Sequence, residues 1–210
     1  MTNRCVIISA GPFCDSTILA GYLLPDDYVI AADGGWKLAA QMGIKPSVLV
    51  ADFDSLGAPM TADGIEIVTL PVEKDVTDTA EALRLGYEAG YRSFLLLGCT
   101  GGRLDHLQAA LAVCADYVRR ECEVVLADER NEIHFLAPGN YVYPACPNEK
   151  ISLFAFGGDV TGLFVEGLKY SVTDYTLSPY DPLCVSNEWV GEDACISFKI
   201  GLLMLYFSKD

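Results

Sequence analysis

Short apolar runs alternate with amphipathic segments along the first 127 residues of the chain. Apolar runs typical of buried β-strands occupy residues 5–9, 28–32, 47–51, 93–97 and 123–127, and a weaker alternating pattern occupies 65–69. Helical spacing of apolar positions predicts helices between them at about 15–24, 36–42, 76–89 and 105–120. Strands that alternate with helices in this way predict a parallel sheet covered on both faces.

The pattern changes after residue 128. Strand-like runs at 151–156, 162–170 and 194–207 are separated by proline, glycine and asparagine, and no helical period is found among them. A second, all-β domain with the size of a small sandwich is therefore indicated. We predict an α/β fold in which a Rossmann-like parallel-sheet domain over residues 1–129 is followed by a small all-β sandwich domain over residues 130–210.

The composition is that of a folded, acidic protein. Hydrophobic residues make up 51% of the 210 residues, and the formal net charge is -15. Only 14 residues are lysine or arginine, and clusters of those residues are what hold nucleic acids and anionic membranes. We therefore expect no nucleic-acid or membrane partner. A polyphosphate ligand is compatible with this charge if a cation such as Mg²⁺ neutralises the repulsion.

The eight cysteines are scattered without a C-x-x-C pair, and several lie inside apolar runs. This distribution favours reduced cysteines in core positions over a disulfide framework or a zinc site. The first apolar run is too short for a secretory signal, and no stretch reaches the roughly 18 apolar residues of a membrane span. The sequence thus predicts a cytoplasmic protein.

Four acidic or glycine-rich segments follow predicted strands. They are Asp33-Gly34-Gly35, Asp52-Phe53-Asp54-Ser55, Lys74-Asp75-Val76-Thr77-Asp78 and Gly101-Gly102-Arg103-Leu104-Asp105-His106. Parallel strands deliver their carboxyl ends to one edge of the sheet, where α/β proteins bind ligands, so we expect these segments to lie together. Carboxylates gathered there would repel a phosphate unless a divalent cation lay between them. The sequence therefore predicts a metal-dependent phosphate site.

Asp52 and Asp54 are two positions apart. If Phe53 is extended, the two side chains point the same way at a separation of roughly 7 Å, which suits ligation of one or two cations. The alternative is a turn in which Asp54 accepts backbone hydrogen bonds.

Asp75 and Asp78 fall at the start of a predicted helix. A structural interpretation makes Asp75 the N-cap and Asp78 a first-turn residue, both favoured by the helix dipole. A functional interpretation is supported by Lys74, because a cation beside an exposed helix N-terminus suits a phosphate. Both interpretations stay open.

Gly101, Gly102 and Arg103 lie between a strong strand and a helix. Their N–H groups can form an anion-binding nest, to which the Arg103 guanidinium adds a two-point contact. The spacing matches neither a Walker A loop nor a G-x-G-x-x-G fingerprint and does not identify the ligand. Asp105 then falls at the helix cap and His106 in the first turn, where a capping or surface histidine is favoured over a catalytic one.

In their order, these segments resemble the thiamine pyrophosphokinase family, which transfers a diphosphate from ATP to thiamine. The resemblance covers nearly the whole chain and includes Ile44-Lys45-Pro46, Gly167-Leu168-Lys169-Tyr170 and Ser186-Asn187. Two positions depart from the usual family pattern. Ala51 replaces a glycine before the acidic pair, and Ala110 replaces an asparagine after Asp105-His106.

The resemblance implies roles in the first domain. The catalytic carboxylates, which would bind Mg²⁺ and phosphate, are Asp52, Asp54, Asp78 and Asp105. The other residues that would bind the nucleotide or its phosphates are Asp33, Gly34, Lys74, Asp75, Gly101, Gly102 and Arg103.

For the second domain, the resemblance implies that Ser186 and Asn187 belong to the thiamine pocket. Trp189 would offer an aromatic face to the cationic ring system or, alternatively, would be a packing or interface residue. The family likeness also implies a homodimer with the thiamine site at the subunit interface, and ATP and thiamine as the partners.

Two other functions are compatible with the sequence. A metal-dependent phosphohydrolase would use Asp52 as nucleophile and Asp54 as acid, although its motif normally carries threonine or valine where Leu56 stands. A non-catalytic thiamine- or nucleotide-binding protein would bind the same ligands without turnover.

Overall fold

The computed structural model describes residues 4–11, 15–52, 64–70 and 76–209. The chain divides into two compact units, the first formed by residues 1–117 and 121–129 and the second by residues 118–120 and 130–210. Three predicted site residues, Asp54, Lys74 and Asp75, lie outside the described residues, as does the side chain of Asp52.

The first unit contains a sheet of parallel strands in the order β4-β3-β2-β1-β5-β6. The strands are β1 (Arg4–Ile8), β2 (Tyr28–Ala32), β3 (Val48–Asp52), β4 (Glu66–Leu70), β5 (Ser93–Leu97) and β6 (Glu123–Ala127). In β1, β2 and β5 every residue after the first is buried, as expected for central strands of a parallel sheet. The strand order reverses at β1, since β2 and β5 are its two neighbours. Such switch points are where open α/β sheets bind ligands.

The helices of the first unit are α1 (Ser16–Ala20), α2 (Gly35–Gln41), α3 (Asp78–Glu88) and α4 (Leu104–Arg119). The helix predicted at about 15–24 is shorter in the structure, because α1 ends at Ala20 and a turn follows. Thr77, and not Asp75, is the N-cap of α3: its backbone is extended and its hydroxyl accepts a hydrogen bond from the Ala80 N–H. Within the described ranges, no helix is long and apolar enough to cross a membrane.

The second unit consists of antiparallel strands in two groups, β7-β13-β9 and β11-β10-β12-β8. The strands are β7 (Asn131–Leu136), β8 (Gly139–Tyr143), β9 (Lys150–Ala155), β10 (Val160–Glu166), β11 (Val172–Leu177), β12 (Ala194–Phe198) and β13 (Leu203–Ser208). Buried side chains from both groups form one core, in which Leu153 of β9 and Leu205 of β13 join Leu163 of β10 and Ile196 of β12. This is the packing of a β-sandwich.

The predicted fold class is confirmed: an α/β parallel-sheet domain precedes a β-sandwich domain. Two of the predicted strands have different bounds. The run 194–207 is divided into β12 and β13 by a turn in which Gly201 has a φ of 106°. The run 162–170 ends at Glu166, because Gly167 also has a positive φ, of 79°, and turns the chain.

Candidate active site

A cavity of about 650 Å³ opens in the first unit at the carboxyl ends of three parallel strands. Its walls come from the residues that follow β1, β2 and β5 and from the starts of α3 and α4. Of the predicted site residues, Asp33, Asp78, Gly102 and Arg103 line it. The structure therefore brings together parts of three predicted segments that are far apart in the sequence.

Glycines allow the loops around this cavity to approach one another. A Cβ on Gly11 would lie 2.6 Å from the carbonyl oxygen of Gly98, and a Cβ on Gly98 would overlap the carbonyl oxygen of Ser9. Gly98 also has a φ of 70°, which side chains disfavour. The first turn of α2 is equally tight, because a Cβ on Gly35 would overlap the carbonyl oxygen of Ile8.

Asp33 has an unusual backbone conformation at the cavity wall. Its φ is 49°, and its N–H donates a hydrogen bond of 2.7 Å to the Val50 carbonyl of the neighbouring strand. A positive φ is uncommon outside glycine, and aspartate is one of the residues that adopt it in tight turns. The turn after β2 thus holds the half-buried Asp33 at the carboxyl end of this strand.

Arg103 and Asp105 are paired at the start of α4. Two hydrogen bonds join the guanidinium to the carboxylate, Nε to Oδ1 at 3.1 Å and Nη2 to Oδ2 at 2.5 Å. Asp105 also accepts the N–H of His106 at 3.0 Å. The bond with Arg103 is the main cause that lowers the pKa of the Asp105 carboxyl, and the same bond raises the pKa of Arg103. Both side chains are exposed, so the pair is open to exchange with a ligand.

The start of α3 contributes three consecutive residues to the cavity, Thr77, Asp78 and Thr79. Thr77 caps the helix, and Asp78 is its first residue. Thr79 forms a hydrogen bond of 2.9 Å with the hydroxyl of Ser9, which follows β1. No sequence pattern points to Ser9, Thr79 or Cys99 as functional residues, although all three line the cavity.

Asp52, Gly101 and His106 are further residues of the predicted segments that the structure describes in part or in full. The backbone of Asp52 forms the last position of β3, paired with Leu70 of β4. Gly101 has a φ of 78° in the loop before α4, and His106 lines the cavity. Among the side chains that the structure describes, no group of three or more His, Cys, Asp or Glu residues lies close enough to hold a metal ion.

In the second unit, Asn187 is 3% exposed and its amide is used within the protein. Its Oδ1 accepts the N–H of Tyr170 at 3.0 Å, and its Nδ2 donates to the Tyr170 carbonyl at 2.8 Å. Ser186, which precedes it, is exposed and has a φ of 56°. The amide of Asn187 therefore fixes the Tyr170 backbone against the turn that carries Ser186.

Trp189 is partly buried and stacks on Phe207, with 6.4 Å between ring centroids and an interplanar angle of 11°. Its indole Nε1 is buried and has no hydrogen-bond partner within the described part of the chain. Glu188, between Asn187 and Trp189, forms ion pairs with Lys150 at 2.9 Å and Lys169 at 2.8 Å.

An open parallel sheet with a cavity at its switch point, bordered by two helix starts, defines a protein of the open α/β-sheet class, in which ligands bind at the carboxyl ends of the strands. The family model for the thiamin pyrophosphokinase catalytic domain matches residues 20–126, and the model for the vitamin B1 binding domain of the same enzyme matches residues 141–203. The chain belongs to the thiamin pyrophosphokinase family, as the sequence resemblance predicts. This family transfers a pyrophosphate group from ATP to thiamine.

Relatives and solved structures agree with this assignment. The chain is 28% identical over 211 residues to thiamine pyrophosphokinase of Bacillus subtilis (strain 168), a match that covers 97% of this chain and 98% of that protein. The crystal structure of thiamine pyrophosphokinase from Bacillus subtilis superposes with a TM-score of 0.89 at 27% identity, covering 99% of this chain and 100% of that one. Yeast thiamin pyrophosphokinase, at 13% identity, a TM-score of 0.80 and coverage of 100% and 87%, shares the fold.

Proposed function

We propose that this chain transfers the diphosphate group of MgATP to the hydroxyethyl oxygen of thiamine and releases AMP. The observation that carries the proposal is the cavity of the first unit, in which Asp33, Asp78 and Arg103 meet two helix starts. We assign ATP and Mg²⁺ binding to residues 1–129 and thiamine binding to residues 130–210.

The polyphosphate of ATP is bound, in this proposal, by the loop before α4. Gly101, with its positive φ, and Gly102 offer backbone N–H groups, and Arg103 offers a two-point donor. Lys74 and Asp75 are assigned to the same phosphates from the sequence motif alone. Asp33 and Gly34 border the nucleotide, and Asp33 is one of the residues that line the cavity.

Magnesium would be held by Asp52, Asp54, Asp78 and Asp105. Carboxylate oxygens are the ligands that Mg²⁺ prefers, and Asp78 is one of the residues that line the cavity. When bound, the ion would neutralise charge on the transferred phosphates. Oδ2 of Asp105 accepts a hydrogen bond from Arg103 and keeps a second lone pair, which could bind the cation.

Positioning and charge neutralisation supply most of the rate in this proposal, because the reaction needs in-line attack of the thiamine oxygen on the β-phosphorus. The hydroxyl proton goes to a carboxylate, either Asp78 or Asp105. Arg103 holds the transferred group, and its guanidinium stays charged because arginine is not deprotonated in proteins.

Thiamine is placed on the second unit, near Ser186, Asn187 and Trp189. The support is an aromatic surface formed by Trp189 and Phe207, to which a cationic ring can stack. Asn187 acts there by fixing the backbone, since its amide is already bonded to Tyr170.

The protein is proposed to be a homodimer in which the second domain of one subunit completes the thiamine site of the other. Exposed apolar side chains of the second unit support this, because Val142, Leu183 and Val190 are 64%, 58% and 55% exposed. Light scattering on the purified protein would give twice the chain mass.

We also propose a cytoplasmic location. The seven cysteines in the described ranges are free thiols, and four of them, Cys5, Cys114, Cys122 and Cys184, are buried in the core, as reducing conditions allow. Fractionation of the source cells with an antibody to the protein would test this.

The central test is identification of the products. Enzyme, thiamine, ATP and Mg²⁺ should give AMP and thiamine diphosphate in equal amounts, and EDTA should stop the reaction until Mg²⁺ is added back. ADP with thiamine monophosphate would contradict diphosphate transfer. Release of inorganic phosphate from simple phosphomonoesters would favour a hydrolase, and binding without turnover would favour a sensor.

A further inference from the structure

Ser9 and Thr79 form a hydrogen bond at the cavity wall, with 2.9 Å between their hydroxyl oxygens. Ser9 follows β1 and is 8% exposed. Thr79 is the second residue of α3 and is less deeply buried. The bond therefore joins the end of a central strand to the helix that carries Asp78.

A hydrogen bond between two hydroxyl groups uses one of their two protons. Within the described ranges, neither hydroxyl makes a second hydrogen bond, so one proton is available to a ligand in the cavity. Ser9 is the more buried of the two, and a buried donor without a partner is costly, which favours donation from Ser9 to Thr79. The proton of Thr79 is then the one left for the ligand.

We propose that the Ser9–Thr79 pair binds the triphosphate of ATP, with Ser9 donating to Thr79 and Thr79 donating to a phosphate oxygen. The proposal rests on the proposed use of ATP. Thr79 lies in the first turn of an α-helix, where backbone N–H groups without helical partners favour an anion. Ser9 is itself held in place, because its N–H donates to the Leu97 carbonyl at 2.8 Å.

Thr79→Val tests the donor, since valine has nearly the shape of threonine without its hydroxyl. We expect the KM for ATP to rise about tenfold, as for loss of a hydrogen bond to a charged group, while the KM for thiamine stays within twofold. Inhibition by inorganic tripolyphosphate should weaken by the same factor as ATP binding. Thr79→Ser should restore most of the lost affinity.

Ser9→Ala tests the order of donation. Thr79 keeps its proton in this variant and loses only the partner that orients it, so the KM for ATP should rise by a smaller factor, about threefold. The double variant should be no worse than Thr79→Val alone. Thr17→Val is the matched control, because Thr17 is likewise the second residue of its helix, α1, and is exposed.

An unchanged KM for ATP in Thr79→Val would overturn the proposal, as would a loss of thermal stability without a selective effect on ATP. Weaker ATP binding with unchanged tripolyphosphate inhibition would also overturn it, because the contact would then be to the nucleoside. If the wild-type protein releases no AMP, the proposed function fails. Calorimetric titration of ATP into the wild type and Thr79→Val would still test the pair.

Discussion

Arg103 donates two hydrogen bonds to the carboxylate of Asp105, and both residues are exposed at the start of α4. The planar guanidinium presents to this carboxylate the same pair of donors that it would present to a phosphate. In the proposed reaction, ATP binding therefore exchanges one anionic partner of Arg103 for another. The carboxylate of Asp105 is released in the same step, so more of its lone pairs become available to a cation.

Arg103→Lys tests whether the two-point geometry matters beyond the charge. Lysine keeps the positive charge but loses the planar fork, so we expect the KM for ATP to rise about tenfold with a smaller change in the KM for thiamine. Steady-state measurement of AMP release at varied ATP concentration gives both constants. Arg119→Lys, an exposed position in the last turn of the same helix, should leave both near the wild-type values. Equal behaviour of the two variants would remove Arg103 from the phosphate site.

The strands of the first unit are predictable from sequence because their apolar runs are bounded by turn residues. β5, for example, has the bounds of the predicted run 93–97. β1 begins and ends one residue earlier than the predicted run 5–9. The second unit is harder to predict. There, apolar side chains continue on both sides of Gly201, but the turn at this residue separates β12 from β13, and the two strands pair with different neighbours.

Part of the site is predictable for the same reason. Asp33 and Arg103 follow the carboxyl ends of parallel strands, so the sheet alone brings them together. Ser9 and Thr79 carry no such signal, since their role depends on one contact between positions 70 residues apart. The bond between Arg103 and Asp105 is likewise a matter of side-chain conformation, which the motif does not specify.

Gly98→Ala should be more destabilising than Gly90→Ala. Both glycines have a positive φ, of 70° and 96° respectively, so each substitution incurs backbone strain. A Cβ on Gly90 would meet nothing within 4 Å, whereas a Cβ on Gly98 would overlap the Ser9 carbonyl oxygen. We expect Gly98→Ala to lower the free energy of unfolding by about 1–3 kcal/mol more than Gly90→Ala. Urea unfolding of the two variants measures the difference, and equal losses would contradict the tight packing inferred at the cavity.

Asn187→Ala should weaken both folding and thiamine use. The substitution leaves the N–H and carbonyl of Tyr170 without the partners that the Asn187 amide supplies, so we expect a loss of about 2 kcal/mol or more in the free energy of unfolding. The KM for thiamine should rise more than the KM for ATP, because the disturbed turn belongs to the second unit. Asn148→Ala, at an exposed turn of that unit, is the control and should change stability by less than about 0.5 kcal/mol. A larger effect on ATP than on thiamine would contradict the assigned role.

Glu188 should make the stability of the protein depend on pH in the acid range. Hydrogen bonds from Lys150 and Lys169 lower the pKa of the Glu188 carboxyl from 4.5 to about 2. Since the folded pKa lies below the unfolded one, this stabilisation is fully present above about pH 4.5 and is lost as pH falls toward 2.

Glu188→Gln removes the titrating group, so its urea midpoint should lie below that of the wild type at pH 6, and the two should converge as pH falls toward 2.5. The difference at pH 6 should be small and should shrink in high salt, because the carboxylate and both lysines are substantially exposed. Glu192→Gln, at an exposed position of the same unit, is the control and should follow the wild type at every pH. Wild-type and Glu188→Gln midpoints that stay a constant distance apart between pH 6 and 2.5 would show that the two lysines do not hold this carboxylate in solution.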